Sequence, residues 1–183
     1  MDAITLLKND HKTVEKLFKT FEKAGEDASA AKRKVVDEII VELSVHAAIE
    51  EQVFYPAIRD AVADVEDTVL EALEEHHVVK WTLNELVDLS PDHERFDAKV
   101  TVLIESVRHH VEEEEGELFP EVRKVLGRKA LGEIGDAMEE ARKTAPTSPQ
   151  PKMPDTPPGN LTAAPAKSAS RKARSAAVKK TRG

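Results

Sequence analysis

The sequence predicts an all-α fold, an antiparallel up-down four-helix bundle with a short fifth helix and a disordered C-terminal tail. Three observations carry that reading. Apolar residues recur at steps of three and four through four long segments. The connections between those segments are short, which makes neighbouring helices antiparallel. Strand signals are negligible. A motif also occurs twice, as His46-Ala-Ala-Ile-Glu50-Glu51-Gln-Val-Phe-Tyr-Pro56 and His110-Val-Glu-Glu-Glu114-Glu115-Gly-Glu-Leu-Phe-Pro120. Histidine, glutamates at offsets four and five, an aromatic at nine and proline at ten agree between the copies.

The first helix spans residues 1–24, with the stripe Ile4, Leu7, His11, Val14, Phe18, Phe21. Asp2 can cap its start and Gly25 can end it. Ser29 can cap a second helix that runs to about Ala63, with the stripe Val36, Ile39, Leu43, His46, Glu50, Val53, Ala57. Pro56 either kinks this helix or ends its regular part. A third helix starts at Asp64 or its neighbours and ends near Leu89, with Val69, Leu73, His76, Val79, Leu83 and Leu86 on its inner face. Ser90-Pro91 reads as a cap followed by proline at the first helical position. The fourth helix then runs to about Gly127 through Phe96, Val100, Leu103, Val107, His110, Glu114 and Leu118. Leu131, Ile134 and Met138 give a short fifth helix over 129–142.

From Thr144 a Pro/Ser/Thr/Ala-rich stretch gives way to Lys/Arg spaced by Ala and Ser. Such a segment buries too little apolar surface to offset its ordering entropy. The expected organisation is a bundle over 1–143 and a disordered tail over 144–183. Charge separates the same two parts. The tail carries eight Lys/Arg against Asp155 alone, and the rest carries 19 basic against 34 acidic residues. An acidic body therefore precedes a basic tail. The tail can make weak contacts with nucleic-acid phosphates or lie on the acidic body.

The absence of cysteine excludes disulfides, zinc–thiolate sites, iron–sulfur clusters and thiol catalysis. The first residues are too short and polar a stretch for a signal peptide, and no apolar run approaches the ~20 residues of a membrane span. A soluble cytoplasmic protein is expected.

Each long helix places one histidine in its apolar stripe: His11, His46, His76 and His110. Glu50 and Glu114 follow one turn after two of them. A lone histidine in such a place is ordinarily a satisfied core residue. Six inward polar groups with no common partner are an expensive core, because a buried unpaired carboxylate carries a penalty of several kcal/mol. One or two cations resolve this. Imidazole and carboxylate without sulfur suit iron, manganese or zinc. With two bridging glutamates, each of two ions holds two histidines and keeps open positions, which fits oxygen chemistry at iron better than a closed structural zinc. The order His-x-x-x-Glu differs from the Glu-x-x-His of ferritin-like sites; near the site only Glu74 to His77 has that spacing. His77 reads as a second-sphere or extra ligand at most. His93 and His109 read as solvent-facing. Tyr55 is either a packing residue beside Pro56 or a lining residue of the site.

Taken as a set, Asp10-His11, His46-x-x-x-Glu50-Glu51 with Phe-Tyr-Pro, Glu75-His76, and His110-x-x-x-Glu114-Glu115 with Leu-Phe-Pro resemble the hemerythrin-like (HHE cation-binding) family, in its actinobacterial type. The resemblance covers about residues 1–142. It implies a hemerythrin-like bundle with an oxo- or hydroxo-bridged pair of irons that binds O2, peroxide or nitric oxide, in a setting of oxidative stress. Two positions depart from the oxygen carriers of that family. Lys80 stands where they place a second histidine in the third helix. They also use the carboxylate at offset five after the fourth-helix histidine, which here is Glu115, whereas Glu114 matches Glu50.

The expected ligands are therefore His11, His46, Glu50, His76, His110 and Glu114, with small-molecule binding or sensing as the function and peroxide dismutation as its enzymatic variant. A second reading is a metal-storage or metal-dependent recruitment module, with the tail as its contact. A third is a structural bundle without metal.

Overall fold

The structure is a computed structural model that describes residues 1–25 and 28–157. Seven α-helical segments form five rods: α1 (Ala3–Lys23), α2 (Ser29–Ile49), α3 (Tyr55–Ala61), α4 (Glu66–Val87), α5 (Phe96–Glu113), α6 (Phe119–Val125) and α7 (Arg128–Arg142). Two π-helical turns, Glu50–Phe54 and Glu114–Leu118, join α2 to α3 and α5 to α6, so each pair is one continuous rod. Among the described residues there is no strand, and no helix is long and apolar enough to cross a membrane. The chain forms the expected four-helix bundle, and α7 is the short fifth helix, packed against α1, α2 and the first π turn.

The local signals were partly correct. The Asp2 carboxylate accepts from the Thr5 backbone N–H at 3.0 Å and caps α1 as expected. Ser29 does not cap α2; its hydroxyl donates to Asp92 at 2.6 Å across the bundle end. Asp64 does not cap α4. It turns the chain at φ 65°, a left-handed conformation that aspartate tolerates better than most residues. Ser90-Pro91 does not open α5, which begins at Phe96. The intervening residues close turns on themselves: the His93 N–H donates to the Ser90 carbonyl at 3.0 Å and the Phe96 N–H to the His93 carbonyl at 2.9 Å. The cap-and-proline signal is spent on a turn.

Pro56 and Pro120 do not end their rods. A proline lacks the amide hydrogen for an α-helical bond and crowds the carbonyl four residues back. The chain widens just before each one. The Tyr55 N–H donates to the Glu50 carbonyl and the Phe119 N–H to the Glu114 carbonyl, each across five residues. This extra residue per turn corrects one expectation. The stripe does not continue through Val53 and Ala57, which are half-buried; Phe54 and Ile58 take the core positions, both fully buried.

The core has two apolar clusters. One contains Ile4, Leu7, Ile49, Phe54, Tyr55, Ile58 and Phe119. The other contains Val14, Phe18, Ile39, Leu43, Leu83, Phe96 and Val107. Between them, along the four rods of the bundle, lie the histidines of the four stripes.

After α7 the described chain has neither helix nor strand, and Ala145 packs against the first cluster. The basic part of the expected disordered tail, with its nucleic-acid contact, lies outside the described residues.

Gly135 marks where α7 meets the N-terminus. A Cβ there would sit 2.1 Å from the Met1 carbonyl oxygen and 2.9 Å from the Ala3 nitrogen. In an open helix, Gly→Ala stabilises by about 0.5–1 kcal/mol. Here the contact is with backbone, so Gly135→Ala is expected to destabilise by about 1–3 kcal/mol, as overpacking does. A denaturant melt reads the sign directly.

Candidate metal centre

His11 on α1, His46 on α2, His76 on α4 and His110 on α5 meet at one level of the bundle, all buried. The His11 and His46 ring centres are 5.0 Å apart, and those of His76 and His110 are 4.8 Å apart. Glu50 and Glu114 open the two π turns and enter the same space, with 0% and 2% of their surface exposed. His46 Nε2 lies 3.0 Å and His76 Nε2 3.4 Å from Glu50 Oε2. His11 Nε2 lies 3.3 Å and His110 Nε2 3.6 Å from Glu114 Oε2. The sequence-predicted six are thus brought together.

The other ring nitrogen of every one of these histidines faces a carboxylate. His11 Nδ1 is 2.9 Å from Glu115, His46 Nδ1 3.4 Å from Asp10, His76 Nδ1 3.1 Å from Glu51, and His110 Nδ1 2.7 Å from Glu75. The partners follow the duplication. The acid preceding the histidine of the first helix in each half (Asp10, Glu75) serves the histidine of the second. The second glutamate of each Glu-Glu pair (Glu51, Glu115) serves the other half. These bonds hold each Nε2 inward and make it a better electron-pair donor, the usual outer support of a metal-ligating histidine.

The inner atoms are close but poorly paired. His11 Nε2, both oxygens of Glu50 and Glu114 Oε2 are buried without a well-formed hydrogen bond among the described residues, and Glu50 Oε2 has only its charge pairs with His46 and His76. Buried carboxylate oxygens rarely stay unsatisfied without a cation or other partner. Their positions define two groups whose ligand atoms lie within 4.8 Å of one another: His11, His46, Glu50 and Glu114, and Glu50, His76 and His110. Glu50 belongs to both, as a bridging carboxylate does. The donor set therefore fits a pair of cations.

Sequence reasoning missed the outer role of four residues. It left Asp10 and Glu75 without a role, weighed Glu115 only as the alternative ligand to Glu114, and took Glu51, one step round the helix from Glu50, as an auxiliary ligand at most. Glu51 is instead buried and bonded to His76, because the π turn rotates it inward. The acid directly before His11 and His76, and the repeated Glu-Glu pair, were the available signals. Lys80 is also buried, and its ammonium reaches Glu51 at 2.7 and 3.0 Å. The position of the absent histidine thus carries a cation that braces the His76 carboxylate. The Tyr55 hydroxyl donates to Glu114 Oε1 at 2.9 Å and lies 3.5 Å from His76 Nε2, so Tyr55 lines the site as well as packing. His77 is exposed and accepts from the Trp81 indole N–H at 3.1 Å; it is not inward. His93 is exposed, and His109 is 63% exposed beside Glu113.

Charge coupling is strong. Burial alone would lower the His46 pKa, but Glu50 and Asp10 outweigh it and raise it from 6.5 to about 10. Glu50 and Glu51 likewise overcome burial to raise His76 from 6.5 to about 9. Burial would raise Glu50, yet the His46 and His76 charges hold it well below the usual carboxylate range. Burial and the Glu114 charge push the Tyr55 phenol well up, so it remains a donor.

The sequence profile of the hemerythrin HHE cation binding domain matches residues 2–122. The chain belongs to the hemerythrin HHE family. This hemerythrin-type domain binds metal cations, and its His/Glu residues are positioned for such a site. An uncharacterized hemerythrin-like protein of Schizosaccharomyces pombe is 26% identical over 150 residues, which is 81% of this chain and 73% of that protein. A protein of Nostoc sp. named DNA nickase is 28% identical over 126 residues, 69% of this chain; the match spans about a third, 35%, of that longer protein. The crystal structure of a hemerythrin HHE cation binding domain-containing protein from Mycobacterium kansasii superposes with a TM-score of 0.66 at 22% identity. It covers 78% of this chain and 86% of that one, a likeness of fold. The HHE profile ends before α7, yet α7 touches the centre. Arg142 donates to Asp10, the carboxylate that faces His46.

Two outcomes follow for the HHE centre. Without metal, the raised His46 and His76 pKa values stabilise the fold fully below about pH 6.5, and that contribution is lost as pH rises through about 9 and 10. The denaturant midpoint of the metal-free protein should fall over this range, and bound metal, which replaces those protons, should flatten the profile. Lys80→Met removes a buried positive partner of Glu51 and should destabilise by about 3 kcal/mol, as breaking a buried pair does. Lys80→Met with Glu51→Gln should recover most of it in the same unfolding assay.

Proposed function

We propose that the protein is a non-haem di-iron protein that binds O2, peroxide or nitric oxide at its His/Glu centre. The observation that carries this reading is the shared Glu50 between two groups of buried, inward-facing ligand atoms. His11 and His46 would hold one ion, and His76 and His110 the other. Glu50 and Glu114 would lie between them. Two irons in such a site supply electrons to a small ligand in pairs.

The chain's own residues set the conditions. The four outer carboxylates fix the imidazole tautomers with Nε2 inward. Tyr55 ties down Glu114 Oε1 and leaves Oε2 facing His11 and His110. With its one proton given to Glu114, the Tyr55 oxygen remains as an acceptor beside His76 Nε2. A chamber of about 30 Å³ lies against the four imidazoles, walled by Val14, Leu43, Ala47, Val79, Val107 and Val111. It has room for a molecule of two or three heavy atoms, and its apolar walls favour a dry, weakly polar guest. With Lys80 in place of a further histidine, the His76–His110 group offers three protein ligands, which would leave an ion held there room for a small ligand. That openness supports peroxide decomposition as a reaction of the centre alongside binding.

Metal analysis and an absorption spectrum of iron-grown protein test the proposal. Two irons per chain are expected, with near-ultraviolet bands that shift on azide addition. A colourless protein with a single zinc per chain would sink it. Glu50→Ala should release both ions because both groups use Glu50, whereas His11→Ala should remove about one ion and leave the His76–His110 group intact. Metal-to-protein ratios on the purified variants distinguish the two patterns.

A further inference from the structure

Two hollows meet at one wall. The chamber against the imidazoles is small and largely enclosed. Outside it, between α1 and α5, lies an open groove of about 450 Å³. His11, Val14, Val107 and Val111 line both. The partition between solvent and chamber is therefore one layer of side chains, three of them valines. Val14 and Val107 are buried, and Val111 is half-buried.

We infer that small ligands reach the metal centre through the seam between α1 and α5, and that Val107 and Val111 set the size limit on what passes. The inference rests on the proposed binding of a small exogenous ligand at the centre. The seam differs from its neighbours. α1 approaches α2 closely, and α4 approaches α5; the backbones of α1 and α5 stay further apart. What crosses the seam near the surface is Arg108. Its guanidinium donates to Glu15 at 3.0 Å and to Glu22 at 2.7 Å, and its side chain is 40% exposed. Arg108 donates a second bond to each glutamate at 3.1 Å, so a polar network bridges the seam at the surface while the valines close it beneath. The opposite wall of the chamber, Leu43, Ala47 and Val79, belongs to α2 and α4, which pack on each other.

The valine layer also explains what is turned away. The groove's rim carries both signs, with Lys12, Arg108, Glu112 and Glu115, and admits polar molecules as far as the partition. Beyond it a guest must shed its water against apolar walls, at a free-energy cost that rises steeply for charged groups. Dioxygen and nitric oxide cross; organic acids and larger peroxides do not.

Methyl NMR of the full chain under dissolved dioxygen tests the route without reference to catalysis, because paramagnetic dioxygen speeds relaxation of the methyls it visits. The sample carries diamagnetic zinc, or no metal where zinc is not taken up. The Val107, Val111, Leu43 and Val79 methyls should relax faster than those of the buried Val36 and Val100, which lie away from the chamber. Val107→Phe and Val111→Phe should abolish the effect at Leu43 and Val79. In iron-loaded protein they should slow nitric oxide binding by about tenfold, whereas Val111→Ala should speed it. A wild type whose Leu43 and Val79 methyls see no more dioxygen than Val36 overturns the route before any variant is made. So do folded Phe variants with unchanged relaxation and unchanged nitric oxide rates. A wild-type iron protein that ignores dioxygen, peroxide and nitric oxide while the methyl pattern holds supports the route and sinks the proposed function instead.

Discussion

Everything in this bundle is built around charge buried away from bulk solvent. Two carboxylates and four imidazoles lie between two apolar clusters, and Glu50, wholly buried, has only the charge of His46 and His76 to face its carboxylate. Low-dielectric surroundings penalise such groups unless positive charge is brought to them. In the metal-free chain, protons on His46 and His76 supply it, which is why their pKa values rise so far. A cation pair would supply it more completely. Helix lengths, the two π turns and the outer carboxylates all make sense as means of holding this layer at one level.

The centre is a duplicated object that has been made unequal. Each half offers an acid–histidine pair on one helix and a His-x-x-x-Glu-Glu on the next, and each outer carboxylate has its counterpart in the other half. The surroundings then diverge. Around His76 lie buried Glu51, buried Lys80 and the Tyr55 hydroxyl. Around His11 lie Phe119, stacked at 5.9 Å, and Glu115, which is 32% exposed and paired with Lys8. One half is buried and braced by the Lys80–Glu51 ion pair; the other opens on the α1–α5 groove. Two ions with similar inner donors would therefore work in different electrostatic settings, and a small ligand entering by the inferred route would meet one side of the pair first.

The region matched by the HHE profile is not the whole of what shapes the site. α7 lies beyond that region, and it closes the end of the bundle by packing Gly135 on the N-terminal backbone. Its last residue, Arg142, engages Asp10 and through it His46. Asp10 is held below the usual carboxylate range, with hydrogen bonds from His46 and Arg142 offsetting burial. The orientation of one inner histidine thus depends on a helix outside the matched domain.

The sequence by itself determined the fold class and the six inward residues. Helical periodicity is a local property, and a polar residue in an apolar stripe is visible without coordinates. His11, His46, Glu50, His76, His110 and Glu114 were legible for that reason, as was the duplication. Tertiary structure decided the rest. Which carboxylate faces which imidazole depends on the neighbouring helix, so a single stripe could not show that Asp10, Glu51, Glu75 and Glu115 are the outer partners of the four imidazoles. The choice between Glu114 and Glu115 turned on the π turn, which advances the register by one residue and brings both glutamates towards the centre in different capacities. The same shift put Phe54 and Ile58 where periodicity placed Val53 and Ala57. Lys80 read as a lost ligand in the sequence; in the folded protein it is a buried brace for Glu51. Ser90-Pro91 carried a strong local signal that the fold used for a turn. Spacing along a helix fixes which face a residue occupies, but only the packing of one rod on another fixes what that face meets.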